Sequence, residues 1–180
     1  MSKKILVVLL LPIFYTNVFA SSMKLEDIII KSFGDANATV YMNGVVPSLK
    51  DFSEVRQKVT GRVVDINRST DRYERKRESI LETWQTLYAK LGRENIDFTK
   101  VKFIDLDVQL DQRISKQVGK DAARYIFFNF SQGDTLFTIK LKECIKFGES
   151  WQCGGGLVFS KVHIEESASS SSSTGAKNTR

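Results

Sequence analysis

From residue 48 to residue 92 the apolar positions fall on a helical period. Phe52, Val59, Ile66, Tyr73, Ile80 and Leu87 recur every seven residues, and Val55, Val63, Trp84 and Leu91 join them at helical offsets. The pattern predicts one long amphipathic helix, opened by Ser48-Leu49-Lys50-Asp51 in the manner of a capping box and stopped by Lys90 and Gly92. Gly61 weakens its interior, and Asn67-Arg68-Ser69-Thr70-Asp71 is able to end one helix and cap a second, so a break near 67–71 stands beside continuity. The complementary seam of a coiled coil would run through Arg62, Ser69, Lys76 and Thr83. These are polar, which favours packing on the chain's own sheet over a coiled-coil dimer.

Upstream, Leu25, Ile28, Ile29 and Phe33 predict a short helix over 23–33, with Ser22 as N-cap and Gly34 as stop. Asn43-Gly44 between Thr39-Val40-Tyr41-Met42 and Val45-Val46 predicts a small hairpin, cut short by Pro47. Downstream the period changes to two. Ile104, Leu106, Val108 and Leu110 share one face of a half-buried strand, and Asp105, Asp107 and Gln109 share the other. A helical turn or loop at 111–119 follows. Residues 125–130 and 136–141 then form a hairpin across Ser131-Gln132-Gly133-Asp134, with Ile126, Phe128, Phe130, Phe137 and Ile139 on one face. The fold class is therefore α+β: a long helix, with a possible kink, laid on a curved antiparallel sheet of about four strands. No internal repeat is present.

Cys144 and Cys153 are the only cysteines. A type II′ turn at Gly148-Glu149 sets Phe147 opposite Ser150, Lys146 opposite Trp151, Ile145 opposite Gln152 and Cys144 opposite Cys153. The last pair falls on a non-hydrogen-bonded position, where Cα atoms approach to about 4.5 Å, so a disulfide is predicted. A redox pair or metal site would want C-x-x-C or neighbouring histidines. Extending the register brings Ile139 opposite Val158, with Gly154-Gly155-Gly156 breaking or bulging the last strand.

The two ends change the picture of where the chain works. Lys3-Lys4, an apolar-rich run from Ile5 to Tyr15, and Val18-Phe19-Ala20 predict an export signal cleaved after Ala20. The run is too short to span a bilayer, which favours cleavage over a retained anchor and leaves no stable membrane span. Residues 21–166 then make a single domain and 167–180, with five serines at 169–173, a disordered tail. Loss of Lys3 and Lys4 lowers the formal net charge from +6 to +4, an excess more suited to solubility than to polyanion binding. The mixed-sign charges from Arg68 to Glu82 read as a solvated helix face, and no nucleic-acid partner is expected.

Candidate chemistry is sparse. His163 is the sole histidine, and neither a triad nor a histidine-rich metal centre is expected unless other residue types substitute; no cofactor and no metal are expected. The candidate catalytic pair is Asp105 and Asp107, about 7 Å apart along one strand face, a separation open to paired-carboxylate chemistry or a hard cation. The alternative is that they are the wet side of the strand. Asn37, Asn67 and Asn129 head glycosylation sequons usable only in a eukaryotic host.

Gln57-Lys58-Val59-Thr60-Gly61 resembles the Q-x-V-x-G loop of cystatin-type protease inhibitors, and Trp151 in a late hairpin matches their second contact loop. The resemblance implies an inhibitor with 57–61 exposed as a loop. It departs from the family in that the helical pattern runs through and beyond the motif and no proline precedes Trp151. The order of elements is similar to cystatin-like or NTF2-like rolls, a topological analogy. The leading expectation is an exported, periplasmic or secreted, non-catalytic binding or assembly module that meets another envelope or extracellular protein through an apolar groove or sheet edge. A small hydrolase or cation-dependent enzyme built on Asp105 and Asp107 is the alternative. The pattern does not choose an oligomeric state.

Overall fold

The computed structural model describes residues 23–63 and 65–162. The expected export signal at 1–20, His163 and the serine-rich tail lie outside the described residues. Four helices come first: α1 (Leu25–Gly34), α2 (Ala38–Gly44), α3 (Leu49–Thr60) and α4 (Ile66–Arg93). Then follow β1 (Lys102–Leu110), α5 (Gln112–Val118), β2 (Ala122–Gln132), β3 (Thr135–Phe147), β4 (Ser150–Cys153) and β5 (Leu157–Val162). The strands form one antiparallel sheet in the order β1-β2-β3, with β4 and β5 both paired to the far edge of β3. The α+β class is as expected. Among the described residues no helix is long and apolar enough to cross a membrane.

The first helix starts two residues later than expected, so that Lys24 and not Ser22 is its N-cap, without a side-chain cap bond, and it keeps Gly34 as its last residue, with Asp35 as C-cap. The expected hairpin at 39–46 is instead helix α2. Tyr41, Met42, Val45 and Val46 are all buried, at spacings of one and four that suit a helix, and Asn37 caps it by accepting the Thr39 N–H at 3.0 Å. Gly44 serves close approach here: a Cβ would stand 2.9 Å from Ile28 of α1.

The long helical pattern is broken, but at 61–65, just before the expected place. Gly61 takes the left-handed conformation (φ 65°) and its N–H closes α3 on the Gln57 carbonyl at 2.9 Å. A new helix begins at Ile66, behind Asp65, whose carbonyl accepts the Ser69 N–H at 2.9 Å. Residues 67–71 therefore lie inside α4. That helix buries Tyr73, Ile80, Trp84, Leu87 and Leu91 within its own chain, the intramolecular packing expected.

The sheet offers Ile126, Phe128 and Phe130 from β2, Phe137, Ile139 and Leu141 from β3, and Leu157 and Phe159 from β5 to the helices, all buried. A continuous line of rings crosses the core: Tyr88, Trp84, Phe33, Phe98, Phe130, Phe137 and Phe159, with successive centroids 5.1–5.7 Å apart. The β2–β3 turn is tighter than expected, since Gln132 pairs with Thr135 and only Gly133-Asp134 lie between. Strand β1 departs from simple alternation. A bulge at Ile104 puts Phe103 against the Phe128 ring at 5.2 Å, leaving Ile104 and Leu110 exposed while Leu106 and Val108 pack on the core.

The late hairpin has the expected register from Phe147↔Ser150 to Cys144↔Cys153, Gly148 takes φ 61° at the turn, and the two cysteines are bonded. Beyond it the register slips by one. Ile139 faces Phe159 instead of Val158, because the N–H groups of Gly154 and Gly155 bond the Glu143 and Lys142 carbonyls in a bulge where Glu143 itself takes φ 54°. The slip delivers Phe159 to the core and leaves Val158 exposed.

Two predictions follow from this corner. Replacing Cys144 and Cys153 by serine should lower unfolding stability by about 2.5–3 kcal/mol, the loop-entropy value for so short a crosslink, measured by urea denaturation. Gly155→Ala should remove about 1–3 kcal/mol, since its Cβ would lie 2.5 Å from Lys142 Cβ and 2.6 Å from the Lys142 carbonyl oxygen. Unchanged denaturation midpoints in either case would contradict these roles.

Candidate functional site

Helix α3 is amphipathic, yet none of its residues is buried. Its ends are sharply set: Ser48 Oγ accepts the Asp51 N–H at 3.1 Å and donates to the Asp51 carboxylate at 2.7 Å, and Gly61 closes the other end. Its apolar positions Phe52, Val55 and Val59 face a groove of about 720 Å³ instead of a packed core. The floor of the groove is Ile114 of α5, Ala122 and Ala123 of β2, and Cys144, Ile145 and Phe147 of β3.

Polar ties hold α3 over this space. Tyr73 of α4 donates its hydroxyl to the Pro47 carbonyl at 2.9 Å, and its ring meets Phe52 with centroids 5.7 Å apart. On the opposite side Lys58 donates to the Val118 carbonyl at 3.1 Å. Glu54 lies between Lys58 at 3.0 Å and Lys120 at 3.3 Å, and Lys120 sits 4.0 Å from the centroid of Phe147. The hydrogen bonds from Lys58 and then Lys120 hold the Glu54 carboxyl below its ordinary value.

The rim is cationic. Arg72, Arg75 and Lys76 project from one face of α4, Arg56 from α3 and Arg124 from β2, against the carboxylates Asp51, Asp111 and Glu143. Each of those acids is engaged: Asp51 with Ser48, Asp111 with the Ile114 N–H it caps at 3.0 Å, and Glu143 with Lys76 at 3.1 Å. By contrast Arg56, Arg72 and Arg75 form no ion pair with a described residue. Gln152 also lines the groove, and its buried amide oxygen has no hydrogen-bond partner among the described residues.

Asp105 and Asp107 both lie exposed on the sheet face away from the helices. Asn129 donates to Asp105 at 2.7 Å and is itself bonded by the Thr138 hydroxyl at 2.8 Å; Asp107 is paired across the ladder with Phe127. Neither aspartate lines the groove or the smaller cavity of about 160 Å³ beside Met23, Ile28 and Trp151. Among the described residues no three His, Cys, Asp or Glu side chains are grouped to hold a metal ion. Of the sequons, Asn37 caps α2, Asn67 stands in the first turn of α4, and Asn129 sits within β2.

The cystatin-like segment is not a loop. Gln57, Lys58, Val59 and Thr60 form the last turn of α3 and Gly61 is its C-cap, while Trp151 stands in β4 opposite Lys146. The rim was not visible in the sequence because Arg72, Arg75 and Lys76 share their helix with genuinely solvated charges. The spacing of three and four was the only available signal. Comparison with protein-family models, with curated proteins and with solved structures gives no match.

Acid should loosen α3 selectively. A carboxylate whose folded pKa is lowered contributes stability above its unfolded value, here 4.5, and loses that contribution as pH falls through the folded value. Amide protection in α3 should therefore drop below about pH 4.5 before it drops in α4. In Glu54→Gln the loosening should already be present at pH 7, with less than about 1 kcal/mol lost globally because the pair is well exposed. Equal protection of α3 in both proteins across this range would contradict the clamp.

Proposed function

We propose that this chain is an exported, non-catalytic binding module of the cell envelope that takes the apolar part of a ligand or partner into the groove beneath α3. One observation carries the reading: an amphipathic helix with no buried residue roofs an apolar space of about 720 Å³, within the size range of small-molecule sites. A helix kept for stability alone would be expected to fill such a space with its own side chains. The signal-like first twenty residues and the bonded cysteines support an oxidising, extracytoplasmic setting. The separation between scaffold and groove supports binding over catalysis, as does the engagement of each rim carboxylate by a neighbouring group.

The test is a neutral environment-sensitive dye such as N-phenyl-1-naphthylamine. It should brighten on addition of the oxidised protein and bind at least tenfold more weakly to Val55→Trp, in which the indole occupies the groove. Dye binding that Val55→Trp leaves unchanged would refute the reading.

A further inference from the structure

We infer that the groove takes a single-chain amphiphile with an acidic headgroup, of the fatty-acid kind, its chain between α3 and the 143–147 end of β3 and its carboxylate at the α4 rim. This rests on the binding reading above and adds the chemical class of the ligand.

Charge complementarity selects that class. An apolar floor accepts a hydrocarbon chain, and five cationic side chains line the same space against three carboxylates. The formal excess of positive charge is unchanged by the Lys76–Glu143 pair, which removes one charge of each sign. All three carboxylates already have partners, and the one rim cation paired to them is Lys76. Arg56, Arg72 and Arg75 are left without an acidic partner among the described residues. Arg72 and Arg75 are three residues apart on α4, one turn on the same helix face, and guanidinium groups suit bidentate capture of a carboxylate. A neutral apolar ligand would leave these arginines unused, and a cationic amphiphile would be repelled by them.

The test titrates the oxidised protein with decanoate, laurate and myristate and with decanol, dodecanol and tetradecanol, each below its aggregation threshold, at low and at raised salt. Within each series every added methylene should tighten binding about three- to fourfold. At equal chain length the acid should bind at least tenfold more tightly than the alcohol, and raised salt should weaken the acid alone. The double variant Arg72→Glu/Arg75→Glu should abolish the preference for the acid while keeping alcohol affinity within about twofold. Both arginines are exposed, so the fold is expected to persist, and circular dichroism checks it. The variant Arg72→Lys/Arg75→Lys should retain most of the preference.

Equal binding of acid and alcohol, with no effect of the glutamate substitutions, would overturn the acidic headgroup while leaving groove binding intact. Failure of both series in the native protein would overturn the fatty-acid-like ligand, and with an unresponsive dye it would overturn the groove reading as well. Binding of the acids that Val55→Trp does not weaken would place them elsewhere and overturn both.

Discussion

Burial of one phenylalanine-rich sheet face governs the arrangement of the other elements. Phe128, Phe130, Ile126, Ile139 and Leu141 are fully withdrawn from water, and each is worth roughly 1.5–3 kcal/mol when buried, so cover for this face is obligatory. Helices α1 and α4 provide it, with Phe33 and Trp84 stacked at 5.1 Å and Phe98 bridging from the α4–β1 connection to Phe130. The opposite face keeps a polar ladder through Asp105, Asn129 and Thr138. A one-sided antiparallel sheet with helices on its apolar side is the arrangement this patterning permits.

The cover does not extend to the whole length of the sheet. Strand β3 has 13 residues, and its last stretch, after the Glu143 bulge, lies across the groove from α3, which polar ties hold to α5 and α4. The disulfide at this end belongs to the main core, with Cys144 and Cys153 both buried in it. Cys153 also donates its N–H to the Val45 carbonyl at 2.7 Å, which fixes the corner from which α3 departs. The open space lies at one end of a sheet that is closely packed at the other.

Much of this was legible from local periodicity. Ile80, Trp84, Leu87 and Leu91 marked the face of α4, alternation marked the faces of β2 and β3, and counting outward from Gly148-Glu149 paired the cysteines. Where two local signals competed, the weaker-looking one prevailed. Asn43-Gly44 suggested a turn, but burial of Tyr41 and Met42 on α2 and of Val45 and Val46 just past it rewards the helix. Gly61 was a stronger helix end than the polar cluster at 67–71, because a left-handed glycine satisfies the terminal carbonyls of α3 directly. The one-residue slip before β5 depends on how closely Gly155 approaches Lys142, which no sequence period encodes. The groove was hidden for a related reason: its walls come from segments as far apart as Phe52 and Phe147, joined only in the folded chain.

The separation of α3 from the core has an evolutionary consequence. Phe52, Val55 and Val59 add little to the buried interior, so exchanging them alters the shape of the groove with small effect on the scaffold's margin of stability. Under the proposed binding role, selectivity and foldedness reside on different residues. A lineage carrying this fold is free to drift in what it accommodates without first acquiring compensating changes beneath the sheet.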